Sequence, residues 1–381
     1  MLCALRSDLL LVVTKLHLAV QIIRGIVDIN DVFVSVIIPA WRLADELTQC
    51  LSALDSQEGA PRFEVVVVVN GADPKVKAAA NHKGLKTNII TTPVNIGFGW
   101  ACNIGAAQAA GNLLVFLNDD TIPYPDWLQN LTNFTVDNEL SVTSSLLLNE
   151  DGTIAEAGSQ MHPDGMPTPL GAGQTVAEAK RSGLLAPRIL DYGSGAALMV
   201  RADMFREVGG FDSEFSPAYY EDTDFQFRLR EKGLDVWLVP SAVVIHHTNR
   251  STHDRPSWLR FSIENGHSRF VQRWENVLKD APERGASVDA ITPIPEGRRK
   301  QLSPLPHEFH GEDAYKIAEG HNERYIAWLE KEYSRLNALV EAQNHQIAQR
   351  QLVLDDTFST LSWRITRPIR LLKKLAYRLT K

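Results

Sequence analysis

The chain has 381 residues, 44% of them hydrophobic, which is enough to bury at least one sizeable core and leave room for an extension. Its net charge of -7 argues against a protein whose whole surface binds nucleic acid or acidic lipid. Cys3, Cys50 and Cys102 lie far apart without a C-x-x-C pair, so neither a disulfide framework nor a zinc site is expected, and a reducing cytoplasm fits best.

Residues 1–30 contain the apolar stretch "DLLLVVTKLHLAVQIIRGIV". Lys15, His17, Gln21 and Arg24 interrupt it, so it lacks the roughly 20 continuous apolar residues of a membrane-spanning helix. It also lacks a small-residue cleavage site behind an unbroken apolar core. The pattern predicts a helical N-terminal extension, which either packs on the next domain or lies at a membrane interface.

From Val32 onward, short β-branched runs alternate with helical segments. The runs are "VFVSVIIP", "RFEVVVVVN", "TNIITT" and "NLLVFLN". This βαβα pattern predicts an α/β fold, with a mostly parallel sheet covered by helices on both faces. Ligands of such sheets bind beyond the carboxyl ends of the strands. We therefore expect the residues that follow the runs to face one crevice: Pro39-Ala40-Trp41, residues 70–73, residues 93–97 and Asn118-Asp119-Asp120.

The fourth run ends in "FLNDDTIPYPDW", where two acids and two prolines follow a buried strand. The acids are consistent with a solvated loop or with a divalent metal held at the mouth of the sheet. The prolines and the neighbouring strand ends favour the metal.

A second group of polar residues lies between residues 192 and 250. In "YYEDTDFQFRLREKG", Glu221, Asp222 and Asp224 open a helix that Gly233 closes. Acids in a first turn complement the helix dipole, which would by itself account for them. The next predicted strand brings His246 to the edge of the sheet, either as a ligand or as a hydrogen-bonded edge histidine.

Residues 32–274 resemble the family-two inverting glycosyltransferases of GT-A fold, particularly rhamnosyltransferase-like members that act on bacterial surface polysaccharides. The resemblance rests on the order of eight motifs: "VSVIIPAW", "VVNGADP", "NIGFGWACNIG", "FLNDDT", "GSGAALMVR", "GGFDSEF", "YYEDTDFQFR" and "VVIHHTNRS". No single motif is specific, but the ordered set is. It implies a Rossmann-like GT-A domain over residues 31–280.

The resemblance also implies roles for individual residues. Asp120 would bind Mg²⁺ or Mn²⁺, with His246 completing the metal site, and Asn118 or Asp119 would lie near the donor's ribose. Asp222 would be the general base, and Glu221 beside it would be the second catalytic residue. The nucleotide pocket would be lined by Pro39, Ala40, Asn70, Asn95 and Gly97, and Ser194 and Gly195 would lie beside the transferred sugar.

These roles predict inverting, metal-dependent sugar transfer from a nucleoside diphosphate sugar to a glycan or lipid-linked glycan acceptor. Two positions depart from the family, which often has aspartate where this chain has Val69 and Asn118. The departures lend support to a non-catalytic glycan-binding scaffold as an alternative. A nucleotidyltransferase is a further alternative. Such an enzyme is expected to have a basic glycine-rich loop after the first strand, where "PAWRLADE" contains only one basic residue, Arg42.

Beyond the domain, residues 281–312 are rich in proline and predict a linker. Residues 313–356 predict a helix with an apolar seam of 3-4 spacing, interrupted by Gln343 and Arg350. The seam indicates a short coiled coil and hence a homo-oligomer. The alternative is a single amphipathic helix folded back on the domain.

Residues 357–381 form a basic tail without an acid after Asp356, in which Trp363 and several leucines alternate with arginine and lysine. This composition predicts an interfacial helix on an anionic membrane surface. We therefore expect a cytoplasmic protein that associates peripherally with the inner membrane. RNA binding and a merely solvated end are the alternatives for this tail.

Overall fold

The structure is a computed structural model that describes residues 32–247, 254–297 and 311–379. The predicted N-terminal extension over residues 1–30 lies outside the described residues. The chain divides into two compact units, Met1–His321 and Asn322–Lys381.

The first unit is built on a ten-stranded sheet with the order β10-β12-β6-β11-β4-β1-β2-β3, in which β5 pairs with β12 and β7 with β6. Its strands are β1 (Phe33–Ala40), β2 (Arg62–Asn70), β3 (Thr87–Thr92), β4 (Leu113–Leu117), β5 (Thr121–Pro123), β6 (Val142–Leu148), β7 (Ile154–Glu156), β10 (Ile189–Leu190), β11 (Ala197–Arg201) and β12 (Val236–His246). The short strands β8 (Ser159–Met161) and β9 (Pro167–Pro169) form a separate two-stranded sheet.

The four runs recognised in the sequence form the parallel half of the sheet, because β1 pairs in parallel with both β2 and β4, and β2 pairs in parallel with β3. The other half is mixed. β11 runs antiparallel between β4 and β6, whereas β12 is parallel to β6. The α/β prediction is confirmed, with antiparallel β11 separating the two parallel groups.

Helices cover both faces of this sheet. In chain order they are α1 (Ala44–Asp55), α2 (Pro74–Ala80), α3 (Phe98–Gln108), α4 (Trp127–Asp137), α5 (Val176–Arg181), α6 (Ala202–Glu207), α7 (Glu221–Arg230) and α8 (Pro256–Leu278). Side chains of α1, α2 and α4 pack with one set of strand residues, and side chains of α3, α6 and α7 pack with the other set. The two cores follow from strand alternation: Val65 and Val67 face one core, and Val66 between them faces the other.

The first part of the predicted linker packs on the domain. Arg230 forms a buried ion pair with Asp191 (2.9 Å) and donates to the carbonyl oxygen of Thr292 (2.5 Å), while the Thr292 N–H donates to Asp191 (2.7 Å). Thr292 is fully buried. Because this buried ion pair also bonds the backbone of Thr292, this part of the predicted linker is held against α7 despite its prolines. Residues 298–310 lie outside the described residues.

Two helices end the chain, α9 (Gly311–Ser359) and α10 (Leu361–Leu379). The start of α9 belongs to the first unit, where Ala314 is buried against Ile96 and Ile104. In the second unit the apolar side chains of α9 are exposed, including Ile326 (55%), Tyr333 (68%) and Ile347 (63%). None of the helices within the described residues combines the length and apolarity needed to cross a bilayer.

Candidate active site

A cleft of about 400 Å³ opens at the carboxyl ends of the parallel strands. Each of the four polar groups that follow the predicted strands contributes to its lining, as does the first turn of α7. Every predicted site residue except Ala40 lines it: Pro39, Asn70, Asn95, Gly97, Asn118, Asp119, Asp120, Ser194, Gly195, Glu221, Asp222 and His246.

Ala40 is the exception because side chains alternate along a strand. Pro39 faces the cleft, and Ala40, the next residue of β1, is fully buried in the core beneath α1. Its side chain is therefore not available to the cleft.

The acidic pair after β4 is deeply placed. Asp119 accepts a hydrogen bond from the Trp41 N–H through Oδ2 (3.1 Å), which ties the ends of β1 and β4 together. Burial, and then the neighbouring charge of Asp120, raise the pKa of Asp119 well above its usual value. Two adjacent buried carboxyl groups repel each other when both are ionised, so this loop is costly to keep charged without a cation nearby.

Asp120 and His246 face each other across the end of the cleft, with 3.4 Å between Asp120 Oδ1 and His246 Nε2. Asn118 Nδ2 also lies 3.4 Å from that nitrogen. Within residues 32–247, 254–297 and 311–379, Asp120 Oδ1 and Asn118 Oδ1 are buried without a hydrogen-bond partner. Unpartnered oxygens beside an imidazole are a donor set that fits a divalent cation.

The protein can supply only part of such a coordination shell. Across the part of the chain that the structure describes, no three histidine, cysteine or acidic side chains converge closely enough to hold a metal ion. Mg²⁺ in nucleotide enzymes is typically held by one or two carboxylates together with phosphate oxygens. The residues therefore fit a cation that arrives with a phosphate ligand.

Asn70 and Asn95 organise the loop that precedes α3. Asn70 Oδ1 accepts from the Ile96 N–H (2.8 Å), and its Nδ2 donates to Asn95 Oδ1 (3.0 Å) and to the Gly97 carbonyl oxygen (3.2 Å). Asn95 Oδ1 also accepts from the Gly97 N–H (2.8 Å). Much of their hydrogen-bonding capacity is thus used within the protein, so Asn70 shapes this wall of the cleft instead of presenting a free amide.

A constrained turn leads into α7. Tyr219 and Tyr220 both have positive φ (75° and 70°), a conformation that bulky residues rarely adopt. It brings Asp222 to the cleft, where Oδ2 accepts from the Gly195 N–H (2.8 Å) and Oδ1 accepts from the Thr223 N–H (2.8 Å). Burial raises the pKa of Asp222, and these N–H groups oppose the shift.

Glu221 is buried and its Oε2 has no hydrogen-bond partner among the described residues. Burial, and then the charge of Asp222, raise its pKa well above the usual value. Ionising Glu221 beside an ionised Asp222 is therefore unfavourable.

Several lining residues are not among the predicted site residues. Glu156, at the end of β7, accepts from the Ser194 N–H through Oε1 (3.1 Å). Burial, and then Asp222, raise its pKa to about 7. Trp258 and Ser262 reach the cleft from α8, and Trp41 follows β1. Of Glu156, Trp258, Ser262 and Trp41, only Trp41 could be identified from the sequence, because it directly follows a predicted strand.

Comparison with known proteins agrees with this geometry. Residues 35–208 match the profile of the family described as Glycosyl transferase family 2. The chain is 27% identical over 228 residues to the O-antigen biosynthesis protein RfbC of Myxococcus xanthus, which covers 57% of this chain and 17% of that protein. It is 29% identical over 213 residues to the N-acetylglucosaminyl-diphospho-decaprenol L-rhamnosyltransferase of Mycobacterium tuberculosis, covering 51% of this chain and 69% of that protein.

Among solved structures, the chain resembles GalNAc-T7 in complex with UDP, GalNAc and Mn²⁺, with a TM-score of 0.52 and 17% identity. The match covers 76% of this chain and 54% of GalNAc-T7, and at this identity it concerns the fold. The resemblance found in the sequence motifs is confirmed by these matches.

Proposed function

Because the chain contains a family 2 glycosyltransferase domain of GT-A fold, we propose that it transfers a sugar from a nucleoside diphosphate sugar to a hydroxyl of a glycan or lipid-linked glycan, with inversion at the anomeric carbon. The observation that carries the proposal is the single cleft that holds the Asp120–His246 pair and the Asp222 carboxyl group. The departing diphosphate needs a positively charged partner and the attacking hydroxyl needs a base, and both must lie in one site.

The reaction is a direct displacement. The acceptor oxygen forms a bond to the anomeric carbon as the bond between that carbon and the diphosphate breaks, and the diphosphate keeps the electron pair. Asp222 takes the proton of the attacking hydroxyl, since its carboxyl group is fixed by the Gly195 and Thr223 N–H groups and its pKa is raised by burial.

Asp120 and His246, with Asn118 beside them, would hold a divalent ion, Mg²⁺ or Mn²⁺. When bound, the ion would stabilise the negative charge that grows on the departing diphosphate. Support comes from the unpartnered oxygens of Asp120 and Asn118, and from the Mn²⁺ and UDP named for GalNAc-T7.

The donor's nucleotide would occupy the end of the cleft nearest β1 to β4. There Pro39, Trp41, Asn95, Gly97 and Asp119 line the cleft. The guanidinium carbons of Arg42 and Arg255 lie 5.2 Å and 5.4 Å from the centre of the Trp41 ring. Ser194 and Gly195, between this end and Asp222, would lie beside the sugar.

The relative from Mycobacterium tuberculosis is named for a sugar acceptor on a diphospho-decaprenol lipid, and a lipid-linked acceptor would suit a protein at the membrane surface. In α10, Ile365, Ile369 and Leu372 are exposed at i, i+4 and i+7, and Arg367 and Lys374 fall on the opposite face. We propose that this helix binds anionic lipid and keeps the enzyme at the cytoplasmic face of the inner membrane.

The exposed seam of α9 would pair with a second copy of the chain. Ile326, Tyr333, Val340, Ile347 and Leu354 repeat every seven residues, and Leu329 and Leu336 lie between them. This is the repeat of a two-stranded coiled coil. Sedimentation velocity on the wild type and on a Leu329→Asp, Leu336→Asp double variant tests the pairing, and a wild-type monomer would contradict it.

A panel of UDP-, GDP- and dTDP-sugars tests the function. Incubated with enzyme and Mn²⁺, one donor should be consumed, with release of a nucleoside diphosphate. Consumption of a donor only when inorganic pyrophosphate is added, with formation of a nucleoside triphosphate and a sugar 1-phosphate, would indicate a nucleotidyltransferase. No consumption of any donor, together with glycan binding, would indicate a non-catalytic scaffold.

A further inference from the structure

Glu156 is an acidic residue of the cleft that the reaction described above does not use. It ends β7, the three-residue strand at the side of the sheet, and it pairs there with Leu147 of β6. Leu147, Ala155 and Pro169 line the cleft around it. The Glu156 carboxyl group is thus a polar group within an otherwise apolar wall.

Few groups of the protein stabilise the charge of this carboxyl group. The Ser194 N–H donates to it and the Ser159 hydroxyl lies close, but Asp222 and the Tyr192 phenol are the titratable groups that face it. Among the described residues Glu156 has no ion pair. A carboxyl group in this setting gains from another hydrogen-bond partner, and the cleft is the side from which one can come.

The position of Glu156 relative to Asp222 is fixed by one short turn. The N–H groups of the consecutive residues Ser194 and Gly195 bind Glu156 and Asp222 respectively. A side chain at position 195 would crowd Asp222, because a Cβ there would lie 3.1 Å from the Asp222 Cβ. A sugar whose hydroxyl reaches Asp222 therefore has its neighbouring groups within reach of Glu156.

We propose that the carboxyl group of Glu156 binds a second hydroxyl of the acceptor sugar, next to the hydroxyl that Asp222 deprotonates. The assignment rests on the proposed function. A carboxylate accepts a hydrogen bond from an alcohol and a carboxylic acid donates one, so both forms can hold the acceptor. The apolar side chains of Leu147, Ala155 and Pro169 suit the C–H face of a sugar ring.

The test separates acceptor binding from donor chemistry. Wild type, Glu156→Ala and Glu156→Gln are compared in donor hydrolysis without acceptor, using the sugar nucleotide that the panel identifies. Transfer is then measured to a panel of methyl hexosides and to an N-acetylglucosaminyl-diphospho-lipid. Glu58→Gln is the matched control, because Glu58 is exposed and is not part of the cleft lining.

Glu156→Ala should raise the acceptor KM roughly tenfold to a hundredfold, the loss expected for a hydrogen bond to an ionisable group, and leave donor hydrolysis within about twofold. Glu156→Gln should stay close to the wild type in acceptor KM, because an amide can also donate a hydrogen bond to an alcohol or accept one from it. Glu58→Gln should match the wild type in all of these.

An unchanged acceptor KM in Glu156→Ala would overturn the assignment, as would an equal loss of donor hydrolysis and transfer, which is the mark of a structural role. Donor hydrolysis by a wild type that no acceptor of the panel stimulates would also overturn a sugar-binding role. A wild type that hydrolyses no donor would instead overturn the proposed function, and Glu156's role with it.

Discussion

The carboxyl groups of Glu156 and Asp222 accept hydrogen bonds from the N–H groups of two consecutive residues, Ser194 (3.1 Å) and Gly195 (2.8 Å). One turn of the chain therefore sets the distance between two acids that come from β7 and α7. Asp222 has a second N–H donor in Thr223, which opposes the rise of its pKa on burial. The two acids are predicted to differ in role because their surroundings differ.

The stability of the protein should depend on the ionisation of Glu156. Its pKa rises from 4.5 to about 7 on folding, so the native state holds a proton that the unfolded state releases between these values. The stabilisation is complete below pH 4.5 and is lost as the pH rises through 7. The side chain of Glu156→Gln does not titrate. The free energy of unfolding of this variant, relative to that of the wild type, should therefore be about 1–3 kcal/mol higher at pH 8 than at pH 4.5.

Urea denaturation of both proteins at pH 4.5 and pH 8 measures this gain, with Glu58→Gln as the control. A difference between Glu156→Gln and wild type that is the same at both pH values would show that Glu156 ionises normally.

Asp120→Asn should lose at least roughly a hundredfold in transfer rate, because Asp120 would hold the divalent ion whose charge stabilises the leaving diphosphate by several kcal/mol. The fold should survive, since Asp120 Oδ1 has no hydrogen bond among the described residues and the substitution relieves its repulsion with Asp119. Asp126→Asn is the control: Asp126 is exposed and its side chain does not cap α4. Full wild-type activity in excess chelator would contradict the metal site.

Gly266→Ala should lower the activity although Gly266 does not line the cleft. A Cβ at Gly266 would lie 2.4 Å from the Tyr219 carbonyl oxygen, so the turn that carries Tyr219 and Tyr220 must shift. A shift of about 1 Å at a catalytic group can cost roughly a hundredfold in rate. Gly311→Ala, which meets no atom within 4 Å, is the control. A Gly266→Ala variant with wild-type kcat would show that the turn does not position Asp222.

Removing residues 362–381 should release the protein from anionic vesicles, because each basic residue near such a surface contributes on the order of 1 kcal/mol before screening. Activity on a soluble acceptor should persist, whereas activity on a membrane-embedded acceptor should fall. Vesicle flotation at low and high salt measures the binding. Equal flotation of the full-length and shortened proteins would place the membrane contact elsewhere.

The end of the cleft proposed for the donor could be predicted because its residues follow long buried strands. Runs such as "RFEVVVVVN" are recognised as strands from their composition. The geometry of a parallel sheet then brings Asn70 and Asn118 to one edge. The part played by Asn70 could not be read in this way, because its bonds to Asn95 and Ile96 depend on how a loop folds.

The end of the cleft proposed for the acceptor depends on contacts between distant parts of the chain. Glu156 lies on a strand of three residues whose place is set by pairing with β6, and Trp258 reaches the cleft through the packing of α8. Neither element has a periodicity long enough to recognise. The antiparallel direction of β11 could not be predicted either, because the composition of the run "ALMVR" does not indicate the direction of a strand within the sheet.

In the proposed reaction, Asp222 removes the proton of the attacking hydroxyl. The most direct measurement is the turnover number of Asp222→Asn with the identified donor and acceptor, together with its donor dissociation constant by calorimetry. Asparagine keeps an oxygen for the Gly195 N–H but is not a base, so kcat should fall by roughly 10²–10⁴-fold with donor affinity nearly unchanged. A kcat close to that of the wild type, or a collapse of donor affinity with a high residual rate, would contradict the claim.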